Sequence, residues 1–394
     1  MKNAVSGCLL CLAVALGGCT TTDVLQSVPE RDVTAATVGT FQDIRYWADE
    51  PPGGFAKREK ETIDTVHGIY GDSLRGKEMP ITYLCISGGG SNGAFGAGFL
   101  VGWTARGDRP KFNVVTGIST GSMIAPLAFL GPKYDDKVKE AYTTISTSNV
   151  ATTTVMAALF GRTAGLADPT PLKKLIAQYL TQSMLDEIAE ESRKGRALLI
   201  GTTYLEAQRP IIWDIGAIAR SGNPKALELV HQIILASASI PGAFPPADIE
   251  VVADGKTYNE MHVDGGVSRQ VFMYPPSYRP KVVDKAIGWK AKRTLYAIRN
   301  NKLDPEYSDV KPSVVSVAGR SIDTLIKYDG IADLYKIYAV AQRDNVKFNY
   351  ISIPAEFDLK SKEAFDKAYM NSLFQAGYDA ALKPDPWKHV PPGM

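Results

Sequence analysis

The sequence predicts an α/β fold with a mostly parallel central sheet and helices on both faces. Two observations carry that expectation. Twice, an apolar strand-like run ends in glycine or serine and opens at once into a helix-like run. Ile81 to Ser87 leads into Gly88-Gly89-Gly90, and Lys111 to Ile118 leads into Ser119-Thr120-Gly121. A strand that feeds a helix and then a second strand sets the two strands parallel. Further along, apolar runs at Thr294 to Arg299 and Val346 to Ile353 alternate with long helical stretches. At 394 residues and 45% hydrophobic content, the chain can bury a large core.

The elements follow in order. Lys2 gives a short basic start, Ala4 to Leu16 is apolar, and Leu16-Gly17-Gly18-Cys19 follows. The run is too short to span a bilayer and reads as an export signal over 1–18. Its ending resembles a bacterial lipobox, which implies that Cys19 is diacylated and becomes the mature N-terminus. Residues 19–78 read as a tether and preamble, with Thr20 to Thr40 a polar flexible spacer and Ala56 to Tyr70 a helix. The body spans 79–384. In it, Gly93 to Thr104 and Ser119 to Leu130 are helices, Asp135 to Glu191 is largely helical, and Pro171 to Ala189 is its clearest amphipathic piece. Ala197 to Thr203 and Arg209 to Ile215 form a hairpin, and Ala226 to Ser237 is a helix. Met261 to Gly266 is a short strand ending in a tight turn. Val314 to Asp344 and Lys362 to Leu382 are helices, and a proline-rich tail covers 385–394. Met156 to Gly161 reads first as a buried helix over the sheet and second as an apolar lip that dips into lipid.

Composition excludes several classes. A net charge of +2 gives no footprint for nucleic acid, and the basic groups Lys57-Arg58 and Lys290 to Arg293 read as solvated faces. Cys8 and Cys11 leave with the signal, so only Cys85 stays in the body, as a buried small hydrophobe. No disulfide, no Cys/His metal spacing and no calcium loop is expected, and no cofactor.

Gly117-Ile118-Ser119-Thr120-Gly121 carries the chemistry. A serine nucleophile needs exposure, a base, and donors for the oxyanion. The flanking glycines permit a sharp strand-to-helix turn that presents Ser119. In Gly88-Gly89-Gly90, backbone N–H groups approach a substrate without a Cβ in the way and form a nest for an anion. Gly88, Gly90 and Gly93 also match a dinucleotide fingerprint, but Asp108, at the spacing of its acidic partner, sits in a turn rather than at a strand end. For the base, His67, His231 and His389 lie in unsuitable contexts. His262 shares a strand with Asp264, and the carboxylate of Asp264-Gly265-Gly266 is the better candidate.

Four motifs then occur in the order of the patatin-like phospholipases: Gly88-Gly89-Gly90 after a strand, Gly117-x-Ser119-x-Gly121, Ala236-Ser237-Ala238-Ser239-Ile240-Pro241 with Phe244-Pro245-Pro246, and Asp264-Gly265-Gly266. The chain resembles that family from about Ile81 to Leu382. The resemblance implies a three-layer patatin-like fold for 79–384 and a Ser–Asp dyad, with Ser119 the nucleophile and Asp264 the general base. Gly88, Gly89 and Gly90 would form the oxyanion hole, with Gly93, Gly117, Gly121, Gly265 and Gly266 shaping the motifs. Asn92 stands where many members carry Arg or Lys, and Val267-Ser268-Arg269-Gln270 lacks the usual Asn and Pro. The expected reaction is hydrolysis of lipid acyl esters through an acyl-Ser119 intermediate. Acyl transfer on the same fold and non-catalytic lipid binding are the rivals. The lipidated Cys19 would hold the protein in a bacterial cell envelope, on the outer membrane facing the periplasm, with membrane lipid as substrate.

Overall fold

A computed structural model describes residues 26–394 except 52, 151 and 154–166. Its strands are β1 (Arg45–Trp47), β2 (Glu78–Ile86), β3 (Val114–Gly117), the short pair β4 (Thr152–Thr153) and β5 (Ala167–Asp168), β6 (Ala197–Tyr204), β7 (Arg209–Asp214), β8 (Ala247–Ala253), β9 (Lys256–Asp264), β10 (Lys290–Arg299) and β11 (Val346–Ser352). All but β4 and β5 join one sheet, in the order β1-β7-β6-β3-β2-β10-β11, with β9 added to β6 and β8 to β9. The five strands from β6 to β11 along that path are mutually parallel. That is the α/β arrangement expected.

Strand period builds the layers. In β2, Leu84 and Ile86 enter one core, while Tyr83 and Cys85 enter another on the opposite face. A parallel strand covered on both faces is apolar throughout, which is why Ile81 to Ile86 carries no alternation. Burial pushes the Cys85 thiol up to about 12, so it is inert packing. One layer holds helices α1 (Ala56–Tyr70), against the helix Pro280–Ile287, and the C-terminal half of Val314–Asp344, which buries Leu334, Ile337 and Ala341. The other layer holds α2 (Gly93–Arg106), α3 (Thr120–Leu130), Ala226–Ser237 and Lys367–Ala381. Glycine is a poor helix former, yet α2 contains three after its first residue. A Cβ on Gly98 would sit 1.9 Å from the Phe374 carbonyl oxygen, and one on Gly377 would sit 2.1 Å from that of Phe95. The two helices meet backbone to backbone, and burial repays the lost propensity.

Several expectations change. Residues 26–40 are not a loose spacer: Val28, Ala36 and Val38 are buried, and Thr37 bridges to Val252. The tail is docked as well, with Lys388 paired to Tyr350 and Trp387 packed edge-on against Phe99 and Trp103 and tilted against Tyr296. Arg58 and Arg293 are not on solvated faces; they pair with Asp214 and Asp284 and tie α1 and β10 to their neighbours. Pro171 to Ala189 divides at Leu180-Thr181 into helices Thr170–Tyr179 and Gln182–Arg193. Met261 to Asp264 is the end of a longer strand whose hairpin partner, β8, joins it through Asp254-Gly255, a turn pair readable in the sequence. No helix among the described residues is long and apolar enough to cross a membrane. The 1–18 signal, Cys19 and Met156 to Gly161 lie outside the described residues.

Candidate active site

The site forms where one strand gives way to another. β3 pairs with β6 up to Gly117 opposite Ile200, and β9 takes over the same edge with Asp264 opposite Thr202. The end of β3 and the end of β9 therefore converge from opposite directions. Ser119 follows the first and Asp264 closes the second.

Ser119 has φ +53° and ψ −125°, in a left-handed region that a side chain rarely occupies. Such strain persists only where the surroundings enforce it. Here the Ser119 N–H donates to Ser237 Oγ at 3.0 Å, and Ser237 Oγ donates to the Gly201 carbonyl at 2.7 Å. Ser122 Oγ donates to the Ser119 carbonyl at 2.6 Å. Gly121 makes the turn possible, since a Cβ there would lie 2.3 Å from the Ile86 carbonyl oxygen. Gly117 packs in turn against Gly121, and Gly93 against Thr120, so α2 and α3 start side by side.

Asp264 is held by its backbone: its N–H donates to the Ser239 carbonyl at 2.9 Å, and Thr203 Oγ1 donates to its carbonyl at 3.2 Å. Its Oδ1 accepts the Gly266 N–H at 2.7 Å. Burial pushes the carboxyl up to about 7, opposed by hydrogen bonding to the Ser119 side chain and the Gly266 N–H. Ser119 and Asp264 are each 5% exposed. A carboxylate with so high a pKa can accept a hydroxyl proton near neutral pH, which an ordinary aspartate does poorly.

The three glycines divide their work. A Cβ on Gly88 would lie 3.1 Å from Ser119 Cβ, so this residue faces the nucleophile. Its N–H, however, donates to the Gln270 carbonyl at 3.1 Å. That narrows the expected three-glycine oxyanion hole. Gly89 and Gly90 have φ of +153° and +56°, and their N–H groups have no acceptor among the described residues; nor has that of Thr120, the first residue of α3. Asn300 supports the cradle: its N–H donates to Ser87 Oγ at 2.8 Å, its Nδ2 donates to the Ser87 carbonyl at 2.9 Å, and its Oδ1 accepts the Gly96 N–H at 3.0 Å. Asn92 donates to Asn301 Oδ1 at 3.0 Å and accepts from Tyr369 at 2.6 Å, which makes it a brace.

His262 is not the base. It is fully buried, with Nδ1 3.0 Å from Thr202 Oγ1 and Nε2 3.1 Å from Glu260. The Glu260 carboxylate can only accept, so the Nε2–H donates to it and the neutral ring's Nδ1 accepts the Thr202 hydroxyl, whose oxygen also accepts the Trp213 Nε1–H. Arg45 pairs with Glu260, and burial holds the imidazole pKa below its ordinary value. His231 bonds the Leu180 carbonyl and His389 bonds Asn349. Asp108 sits in an exposed turn paired with Arg106, as no ribose partner would.

Sequence reasoning missed the roles of Ser237, Gln270 and Asn300. Ser237 was visible inside Ala236-Ser237-Ala238-Ser239 as a serine at the end of a helix. The signal for Asn300 is a polar Arg299-Asn300-Asn301 run directly after an apolar strand, since ligand sites gather at the carboxyl ends of parallel strands.

A family model described as patatin-like phospholipase matches residues 84–273, which contain Ser119, Asp264 and the glycine cradle. The match supports lipid acyl hydrolysis in the broad sense. No curated protein matches the chain. Among solved structures the chain is similar to VipD from Legionella pneumophila at 13% identity and a TM-score of 0.38, over 78% of this chain and 66% of that one. That overlap is too loose to carry an argument, and the chain spans just under two thirds of the protein it resembles.

Proposed function

From the premise that residues 84–273 form a patatin-like phospholipase domain, we propose that this chain hydrolyses acyl esters of lipids through an acyl-Ser119 intermediate. The observation that carries the reading is the meeting of a strained serine with a buried carboxyl whose pKa lies near 7. In the first step Asp264 takes the Ser119 Oγ proton while Oγ attacks the ester carbonyl carbon. The oxyanion meets the N–H groups of Gly89 and Gly90, worth about 3 kcal/mol for a well-aimed donor. The tetrahedral adduct collapses, and the leaving alcohol takes the proton from Asp264. Water then gives a proton to Asp264 and attacks the acyl carbon, and Ser119 departs with that proton.

A lipid substrate suits a chain tethered at a membrane. We place the protein on the outer membrane of a bacterial envelope, facing the periplasm and held by a diacylated Cys19; Cys19→Ser is expected to release it from membranes, and retention of that variant in the membrane fraction would count against the tether. The reaction is tested by incubating the protein with phosphatidylethanolamine vesicles and resolving products by mass spectrometry. Free fatty acid and lysolipid, absent with Ser119→Ala, are expected. Equal release by that variant would refute the reading, and acyl transfer to an added alcohol at the expense of free acid would replace hydrolysis with transfer.

A further inference from the structure

Arg299 ends β10 beside the cradle-bearing end of β2 and is 1% exposed. Of its five N–H donors, one on Nη1 reaches Gln270 Oε1 at 3.4 Å and one on Nη2 reaches the Ile326 carbonyl at 3.2 Å, while Nε has no partner. No carboxylate forms an ion pair with it among the described residues. Gly330 makes room for it, since a Cβ there would lie 2.2 Å from Nη2. Burial lowers its pKa, outweighing the nearby Asp333 and Asp329 carboxylates that favour its charge, so the guanidinium opposes folding. Its location offers a reason to keep it.

The partner, Gln270, touches both halves of the site. Its carbonyl accepts the Gly88 N–H, and its Nε2 donates to the Gly266 carbonyl at 2.7 Å, two residues past Asp264. Asp333, 1% exposed, accepts the N–H groups of Gln270 at 2.7 Å and Val271 at 3.3 Å through one oxygen. The peptide whose carbonyl catches Gly88 is therefore clamped from behind by a carboxylate. Arg299 and Asp333 both lie outside the 84–273 match.

We propose that Arg299 and Gln270 form a positioning clasp that keeps the glycine cradle in register with the Asp264 turn. The inference rests on Ser119 being the nucleophile. Arg299 acts through Gln270 and touches no reacting atom, so its loss changes geometry rather than substrate binding.

The test is steady-state hydrolysis of a p-nitrophenyl ester, alongside thermal unfolding, by wild type, Arg299→Met, Arg299→Lys, Gln270→Met and the Arg299→Met/Gln270→Met double variant. Each Met variant is expected to lower kcat by about 10- to 100-fold and leave KM within about twofold. Arg299→Met is expected to melt no earlier than wild type, and Arg299→Lys to recover part of the rate. The double variant is expected to be no slower than the slower single, because both act through one contact. Losses that multiply in the double, or a wild-type kcat in Gln270→Met, would overturn the clasp. A destabilised Arg299→Met would make that residue structural and overturn its part, while Gln270→Met still tests the contact. If wild-type turnover survives Ser119→Ala, the functional reading fails and takes this inference with it. Ser119-dependent turnover with unchanged Met variants overturns the clasp alone.

Discussion

Asp264 holds its proton to about pH 7 in the folded chain, against an ordinary value of 3.8, because burial outweighs the hydrogen bonds it accepts. Between those two values the folded state binds more protons than the unfolded one, so stability falls as pH rises through the window and is lowest above it. The charged form then costs about 4 kcal/mol of folding free energy. Hydrolysis is accordingly expected to rise with pH around an apparent pKa near 7 and to level above it. In urea unfolding at pH 8, Asp264→Asn is expected to be more stable than wild type although inactive, with the difference shrinking toward pH 4. A less stable variant at pH 8 would contradict the buried charge. Ser237→Ala leaves the N–H of Ser119 buried without its acceptor, and about 1–2 kcal/mol of stability is expected to go with it; an unchanged unfolding midpoint would mean that Ser237 does not hold the strained turn.

Elements were legible where a local pattern decided them. Ala226–Ser237 and Val314–Asp344 are helices as read from the sequence, and the strand–glycine–helix units read directly as parallel α/β structure. β8 was missed although its alternation of buried and exposed residues and the Asp254-Gly255 turn were both present. The strand-to-helix turn at Ser119, an elbow, shows why glycine spacing is informative: Gly121 is required by an oxygen 35 residues upstream in sequence, at Ile86. Gly121→Ala is expected to push α3 off β2, costing about 2 kcal/mol or more and most of the activity. A fully active variant with native stability would show that the elbow has slack.

What remained hidden belongs to the whole molecule. Nothing local in Val28, Ala36 and Val38 says that a polar-looking segment will seal a core, and nothing near Trp387 announces the aromatic cluster that receives it. The same holds for the site. Ser119, Asp264 and the glycines declared themselves by motif, whereas Gln270, Arg299 and Asp333 are defined only by contacts between distant segments. Trp387→Ala is expected to lower stability by about 2–3 kcal/mol while the activity of the folded fraction stays at the wild-type level; activity lost without any change in stability would give the tail a role in turnover. The central claim is a serine activated by Asp264 in place of a histidine. It is tested most directly by intact-mass measurement after exposure to a fluorophosphonate. Wild type should gain one adduct on Ser119, Ser119→Ala none, and Asp264→Asn should react far more slowly. Equal labelling of Ser119→Ala, or no adduct on wild type, would contradict it.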